Sequence, residues 1–462
     1  MNIKNSLSEE QEKIVLDPAH VKQIIAGAGC GKTFTIIEAI YKCFLDGLKP
    51  ENLLLITFTR KAAGEMKERL EKKITRSGLN LDMNLAKVGT FHSIALSLLK
   101  QYFPERIKGY RIIADEEESK IIHELASPYK ARLMGIPVDL FLKSKKLPGD
   151  FLELRNQIMD DYKNLKDKSK LIDFNDMLDI WDTSISELKK TETDEGRKLL
   201  KQFTSHFQLA VVDEFQDSGD KEMKFLQHVE APNVIIVGDD WQSIYGFKGG
   251  DLEYSYNFKK YYPDVKRFYL TTNYRSSPQI VKASTQIIRH SRKLIRKKLT
   301  AYNAKGPKPV FFIVPSKKLY TPVLDRLFYY FSGENSRESV AFLTRTNRQV
   351  TFLENQFQTH ACYALLKDRL QFLTIHQSKG LEYHTVVVYP LDANSLPHPS
   401  GHVDEELRLL YVALSRAERR LLVIGITGIG ESQFQKYFGI RTRRRFIERP
   451  EQVGKVLGRH WK

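Results

Sequence analysis

The chain has 462 residues and carries 73 Lys and Arg against 56 Asp and Glu, a formal charge of +17. With 42% hydrophobic and 11% aromatic residues it has enough apolar material for about three packed domains, which excludes a disordered polyelectrolyte. The basic excess favours a polyanionic partner, nucleic acid before an anionic membrane. Cys30, Cys43 and Cys362 form no CxxC pair, so neither a disulfide framework nor a zinc site is expected. No run approaches the ~18 apolar residues of a membrane span, and MNIKNSLSEE has no apolar signal core. The expected setting is the cytoplasm, with no membrane partner.

In chain order, residues 21–25 predict a short strand, 33–44 a helix, 53–58 a strand and 61–74 a charged helix. That β-α-β-α rhythm argues for a parallel sheet with helices on its faces. From about residue 102 to 202 the pattern becomes helical and rich in Lys, Glu, Asp and Leu, as expected of an insert. Strands resume at 207–212 and 234–237. A second α/β unit begins after Asn273, with strands expected at 310–314, 340–343, 372–375, 385–389 and 421–424. The basic stretches 289–298 and 441–445 read most simply as solvated helix faces or tails.

Ala26, Gly27, Ala28, Gly29, Cys30, Gly31, Lys32 and Thr33 spell AGAGCGKT between a strand and a helix. Glycines there let backbone N–H groups face phosphate oxygens, and the helix N-terminus adds positive potential. Lys32 would reach the β- and γ-phosphates of ATP, and Thr33 would ligate Mg2+. Asp213 and Glu214 close the strand at 207–212. Asp213 fits a magnesium role and Glu214 fits orienting or deprotonating the attacking water. Arg275 and Arg416 are candidates for stabilising charge at the γ-phosphate. In VGDDWQSIYGFKG, residues 237–249, Gln242 can sense a phosphate, while Tyr245 and Phe247 beside Lys248 suit unstacked bases. One short segment thus places a fuel sensor next to a grip on a strand.

Taken in order, LSEEQEKIV, AGAGCGKT, ITFTRKAAGEM, VGTFHSIA, DFNDML, VVDEFQDS, VGDDWQSIYGFKG, NYRSS, LTIHQSKGLEY and EELRLLYVALSRA resemble the motifs of UvrD/Rep/PcrA-type helicases of superfamily one. The resemblance implies an α/β fold of two RecA-like P-loop NTPase lobes. The first lobe would hold residues 1–104 and 203–272, the helical insert 105–202 and the second lobe 273–462. It implies Gln11 at the adenine edge, Tyr274 stacked on the adenine, Glu382 near the ribose, and Lys32, Gln242, Arg275 and Arg416 around the γ-phosphate. It also implies single-stranded DNA across both lobes, touching Phe58, Thr59, His92, Tyr245, Phe247 and His376, with 3′ to 5′ movement.

Phe34 stands where relatives often have an arginine against the adenine, and Trp241, Phe247, Lys248, Leu396 and Ser415 are further departures. Where relatives carry a large accessory subdomain, residues 348–373 leave room for a short connection alone. The expected function is an ATP-dependent helicase or translocase acting on single strands and their junctions with duplex, as a monomer or weak oligomer. The alternatives are an ATP-driven clamp or translocase that needs a separate partner such as a nuclease, and a binding protein with a relic nucleotide site. The 46 residues after Arg416 are too few for a fused nuclease.

Overall fold

The computed structural model describes residues 7–129, 132–133, 138–143, 149–246, 249–333, 338–399, 401–428, 430–439 and 442–461. Six strands form the first sheet: β1 (Val21–Ala26), β2 (Leu53–Ile56), β3 (Lys87–Gly89), β4 (Leu209–Val212), β5 (Asn233–Gly238) and β6 (Lys266–Leu270). Their order is β3-β2-β4-β5-β1-β6, and every neighbouring pair is parallel. Runs such as Leu53-Leu54-Leu55-Ile56 are apolar throughout because both faces of such a sheet are covered. Leu53 and Leu55 join one core with Ile36, Ile40 and Leu70. Leu54 and Ile56 face the other way, among Trp181, Phe203 and Phe207.

The second sheet contains β7 (Val310–Val314), β8 (Val340–Thr344), β9 (Leu370–Thr374), β10 (Tyr383–Leu391), β11 (Ala417–Ile426) and β12 (Arg443–Phe446). Its order is β9-β8-β10-β11-β7-β12, again parallel throughout. Phe311, Ile313, Val386 and Val423 face one core, and Val310, Phe312, Val387 and Ile424 the other.

The insert is smaller than the sequence pattern indicates. Its own core gathers residues between Ile113 and Leu171, including Phe141, Leu154, Ile158 and Tyr162. Two short parallel strands, Arg111–Ile112 and Leu171–Ile172, pinch its base. The helices Phe174–Lys190 and Asp194–Thr204, expected inside the insert, pack instead into the first lobe through Met177, Trp181, Ile185 and Phe203. Their apolar stripe matches the sheet, and no charge pattern announces that.

Residues 348–373 form a short connection, with no separate folded subdomain. Helix Asn347–Gln358 and the turn Tyr363–Leu366 form an ordinary crossover from β8 to β9. Leu353, Phe357, Cys362 and Leu366 pack it into the second core.

Candidate active site between the lobes

In a parallel sheet, the loops leaving the strands' carboxyl ends collect along one edge and build the site. The loop after β1 is the phosphate-loop sequence. Gly29 and Gly31 have φ of +67° and +76°, values that glycine adopts without strain. A side chain on Gly29 would also meet Arg275 Cβ at 2.7 Å, so the loop lies against the second lobe's first segment. Helix Lys32–Leu45 starts directly after it, with Thr33 on the first turn and Phe34 exposed at its mouth.

Lys32 Nζ lies 2.8 Å from Glu214 Oε1. Glu214 is one of three described non-glycine residues with positive φ, at 54°. That strained backbone turns its carboxylate toward the lysine. Asp213 is buried, and burial followed by the Glu214 charge pushes its carboxyl up to about 6. Burial would raise Glu214 as well, but Lys32 and Lys379 outweigh it and hold Glu214 at about 2. Burial works against the Lys32 charge, yet Glu214 and Asp213 hold its ammonium above the ordinary lysine range. The pair therefore offers one firmly ionised carboxylate and one that a cation would ionise. This fits Mg2+ held by Thr33 and Asp213, with Lys32 and the loop N–H groups on phosphate.

The second lobe closes the site. Asn273 Nδ2 donates to Ala28 O at 2.6 Å, and Tyr274 N donates to Gly29 O at 2.9 Å. Tyr274, Gln11 and Gly31 converge: a Cβ on Gly31 would lie 3.0 Å from Gln11 Nε2 and 4.0 Å from Tyr274 Cδ2. That is the corner expected for the adenine. Arg275 Nε donates to Glu382 Oε2 at 2.8 Å. Arg416 is fully buried, and its Nη2 donates to Gln242 Oε1 at 2.7 Å. Burial, then the neighbouring Arg275, lowers the Arg416 guanidinium to about 9. The four residues expected at the γ-phosphate are thus brought to one cleft.

Gln242 belongs to the segment that leaves β5, which is a wedge between the lobes. Its Nε2 donates to Asp239 Oδ2 at 2.6 Å. Trp241 packs edge-on against Tyr411, and Ile244 is buried in the second lobe's core. Tyr245 then stacks on Phe58, with centroids 4.7 Å apart and planes 22° from parallel, and the His376 ring lies 6.1 Å from Tyr245, tilted by 47°. Three of the expected strand contacts are therefore brought together in one aromatic row, here called the ladder. Thr59 caps helix Arg60–Ser77 through Ala62 N and stands exposed beside the ladder residue Phe58. His92 is placed differently: its ring packs 5.7 Å from Phe174, and burial lowers its pKa. Phe247, with Lys248, lies outside the described residues. Cys30 points into the core, and burial pushes its thiol up to about 12, so the phosphate loop carries no reactive thiolate.

Three residues of this site escaped the sequence reading. Asn273 precedes the recognised Tyr274 and ties the phosphate loop to the second lobe. Lys379 pairs with Asp217, donates to Gln242 O at 3.1 Å, and sits 4.7 Å over the Tyr245 ring. One lysine thus touches the acidic segment after β4, the Gln242 backbone and the ladder. Lys297 is completely buried and reaches Asp239 Oδ1 at 2.5 Å, Asp240 Oδ1 at 2.7 Å and Ala26 O at 2.8 Å. Its signal was hidden in a basic run that reads as solvated.

Residues 7–263 match the UvrD/Rep helicase N-terminal domain, and residues 268–373 and 360–428 match the UvrD-like helicase C-terminal domain. The chain is 28% identical to a "Probable DNA helicase" of Mycoplasma pneumoniae, over 91% of this chain and 83% of that one. It is 31% identical to YjcD of Bacillus subtilis over 74% of this chain, and 26% identical to the ATP-dependent DNA helicase PcrA of Staphylococcus aureus over 76%. The matched parts cover 46% of YjcD and 50% of PcrA, so the chain spans about half of those two relatives. The phosphate loop, the Asp213–Glu214 pair, the wedge at 239–245 and the two arginines all lie within the matched stretches, and the chain belongs to the UvrD/Rep family of helicases.

Proposed function

We propose that the chain is an ATP-driven motor on single-stranded DNA, moving 3′ to 5′ and separating duplex as it goes. The observation that carries this reading is the wedge: Gln242 is bonded to Arg416, and three residues later Tyr245 stacks on Phe58 beneath Lys379. ATP would bind with Lys32, Thr33 and Asp213 on one side and Arg275 and Arg416 on the other. Mg2+ would supply charge neutralisation between phosphate oxygens. Glu214 would orient the attacking water once phosphate takes Lys32 from it. Arg416 would exchange Gln242 for the γ-phosphate, and the freed Gln242 would carry that change to Tyr245. Grip by stacking and phosphate contact gives weak sequence preference and strong salt dependence.

The test is ATP-dependent strand release from duplexes carrying a 3′ or a 5′ tail, with Lys32→Ala as control. Release from 3′-tailed duplex alone, lost in the control, supports the reading; preference for 5′ tails or undiminished turnover in Lys32→Ala contradicts it. A second reading is a translocase that relies on a partner for unwinding. The plain β8–β9 crossover favours it, because the second lobe devotes no separate folded piece to duplex at that position. Directional movement along a single strand without release of duplex would select this second reading.

A further inference from the structure

We propose that strand β12 and the helix after it form a second binding site for single-stranded nucleic acid, at the opposite end of the second sheet from His376. The inference rests on the motor reading above, since it extends the path of the same polymer. Among the described residues, β12 pairs with β7 alone and is the last strand of its sheet. Arg443, Arg444, Arg445 and Phe446 are all exposed, Phe446 to 67%. Alternation puts Arg444 and Phe446 on one face and Arg443 and Arg445 on the other.

Arg443 Nη1 lies 2.6 Å from His460 Nδ1, which accepts from it. Burial, then Arg443, Arg445 and Arg459, lowers the His460 pKa and favours the neutral ring that this bond requires. Among the described residues, none of Arg443, Arg444, Arg445 and Arg459 forms an ion pair with a carboxylate. On the other face, the Arg444 guanidinium sits 5.7 Å over the Phe311 ring, beside Phe446.

Charge on an edge strand also guards against edge-to-edge association. That role needs one or two charges and is undone by a large exposed ring. Like charges without a carboxylate partner on both faces, Arg445 bonded to the Arg444 carbonyl at 2.8 Å, plus an exposed phenyl call for a polyanion with unstacked bases: arginines for phosphates and Phe446 for a base. This distinguishes a single strand from duplex, whose bases are already stacked. Because all strands are parallel, Phe446 leaves the same sheet edge as His376. Five strand spacings separate β9 from β12, roughly 24 Å, so a strand longer than the interlobe track can reach both. The segment also lies beyond residue 428, where the match to the family's C-terminal domain stops.

The experiment measures anisotropy of labelled oligonucleotides of about 10 and about 30 nucleotides, and of a duplex, against salt. It uses wild type, Arg443→Gln/Arg445→Gln and Phe446→Ala, with thermal midpoints as a folding check. The expected result is that the double variant weakens long-strand binding about tenfold and lowers its salt slope by about 1.4. Phe446→Ala should weaken the long strand about fivefold without changing the slope. Short-strand binding and short-strand-stimulated ATPase should be unchanged in both. Unchanged long-strand affinity, or a loss on duplex equal to that on single strand, overturns the proposal. If no oligonucleotide stimulates ATPase, the motor reading itself fails; stimulation with length-independent binding overturns this second site alone.

Discussion

Replacing Lys297 with Met tests the least expected part of the site. Methionine keeps the apolar stem against Trp241, whose ring lies 4.7 Å from the ammonium, and removes the charge. Asp239 and Asp240 then remain in the interior, 0% and 2% exposed, without their cation. Breaking a buried pair by removing one partner costs about 3–5 kcal/mol. For a unit of this size each kcal/mol moves the midpoint by about 2–4 °C. Thermal unfolding of the nucleotide-free protein, followed by tryptophan fluorescence, should therefore fall by roughly 6–20 °C. The sign with pH follows from Asp240, whose pKa burial and the Asp239 charge already raise against Lys297. A raised folded-state pKa means stability is lost as pH rises through it, and removing the lysine raises it further. The deficit should be larger at pH 8 than at pH 5, and adding Asp240→Asn should recover part of it. A shift within about 2 °C, or an Asp240→Asn change that deepens the loss, would show that Lys297 does not neutralise this buried pair.

Lys379→Met should reduce the stimulation of ATP hydrolysis by single strands about tenfold, measured as the ratio of stimulated to basal rate. Tyr245→Ala should weaken single-strand binding by about 1–3 kcal/mol in anisotropy titrations while ATP binding is retained. Burial pushes Asp213 and Asp217 up to about 6 against the ordinary 3.8. Their contribution to the stability of the nucleotide-free protein is therefore fully present below 3.8 and lost as pH rises through about 6. Asp217→Asn should flatten that part of the pH–stability profile.

Much of this arrangement was legible in the residues because its signals are local. AGAGCGKT between a strand and a helix, an acidic pair at a strand end, and fully apolar strands such as Leu209–Val212 each depend on near neighbours. β6 and β12 escaped because Lys266, Arg267 and three consecutive arginines show neither apolar run nor alternation; pairing at the sheet edge makes them strands. The inner boundary of the insert escaped because amphipathic helices carry no record of which sheet they cover. Lys297 and Lys379 escaped for a shared reason. A lysine beside other basic residues or in a turn reads as solvated, and burial arises only when distant carboxylates, Asp239, Asp240 and Asp217, fold against it. The segment 237–249 stands out in the sequence for its Gln and aromatic residues, but its anchor, Ile244 in the other lobe's core, looks like an ordinary apolar residue.

If segment 239–245 links the nucleotide to the strand, the two ligands must bind with coupled affinities. Single-strand affinity would be determined with and without a non-hydrolysable ATP analogue, in wild type and in Gln242→Ala. The expected result is a shift of about fivefold or more in wild type and nearly none in Gln242→Ala, with both ligands still bound. No shift in wild type, or a full shift in the variant, would contradict that link.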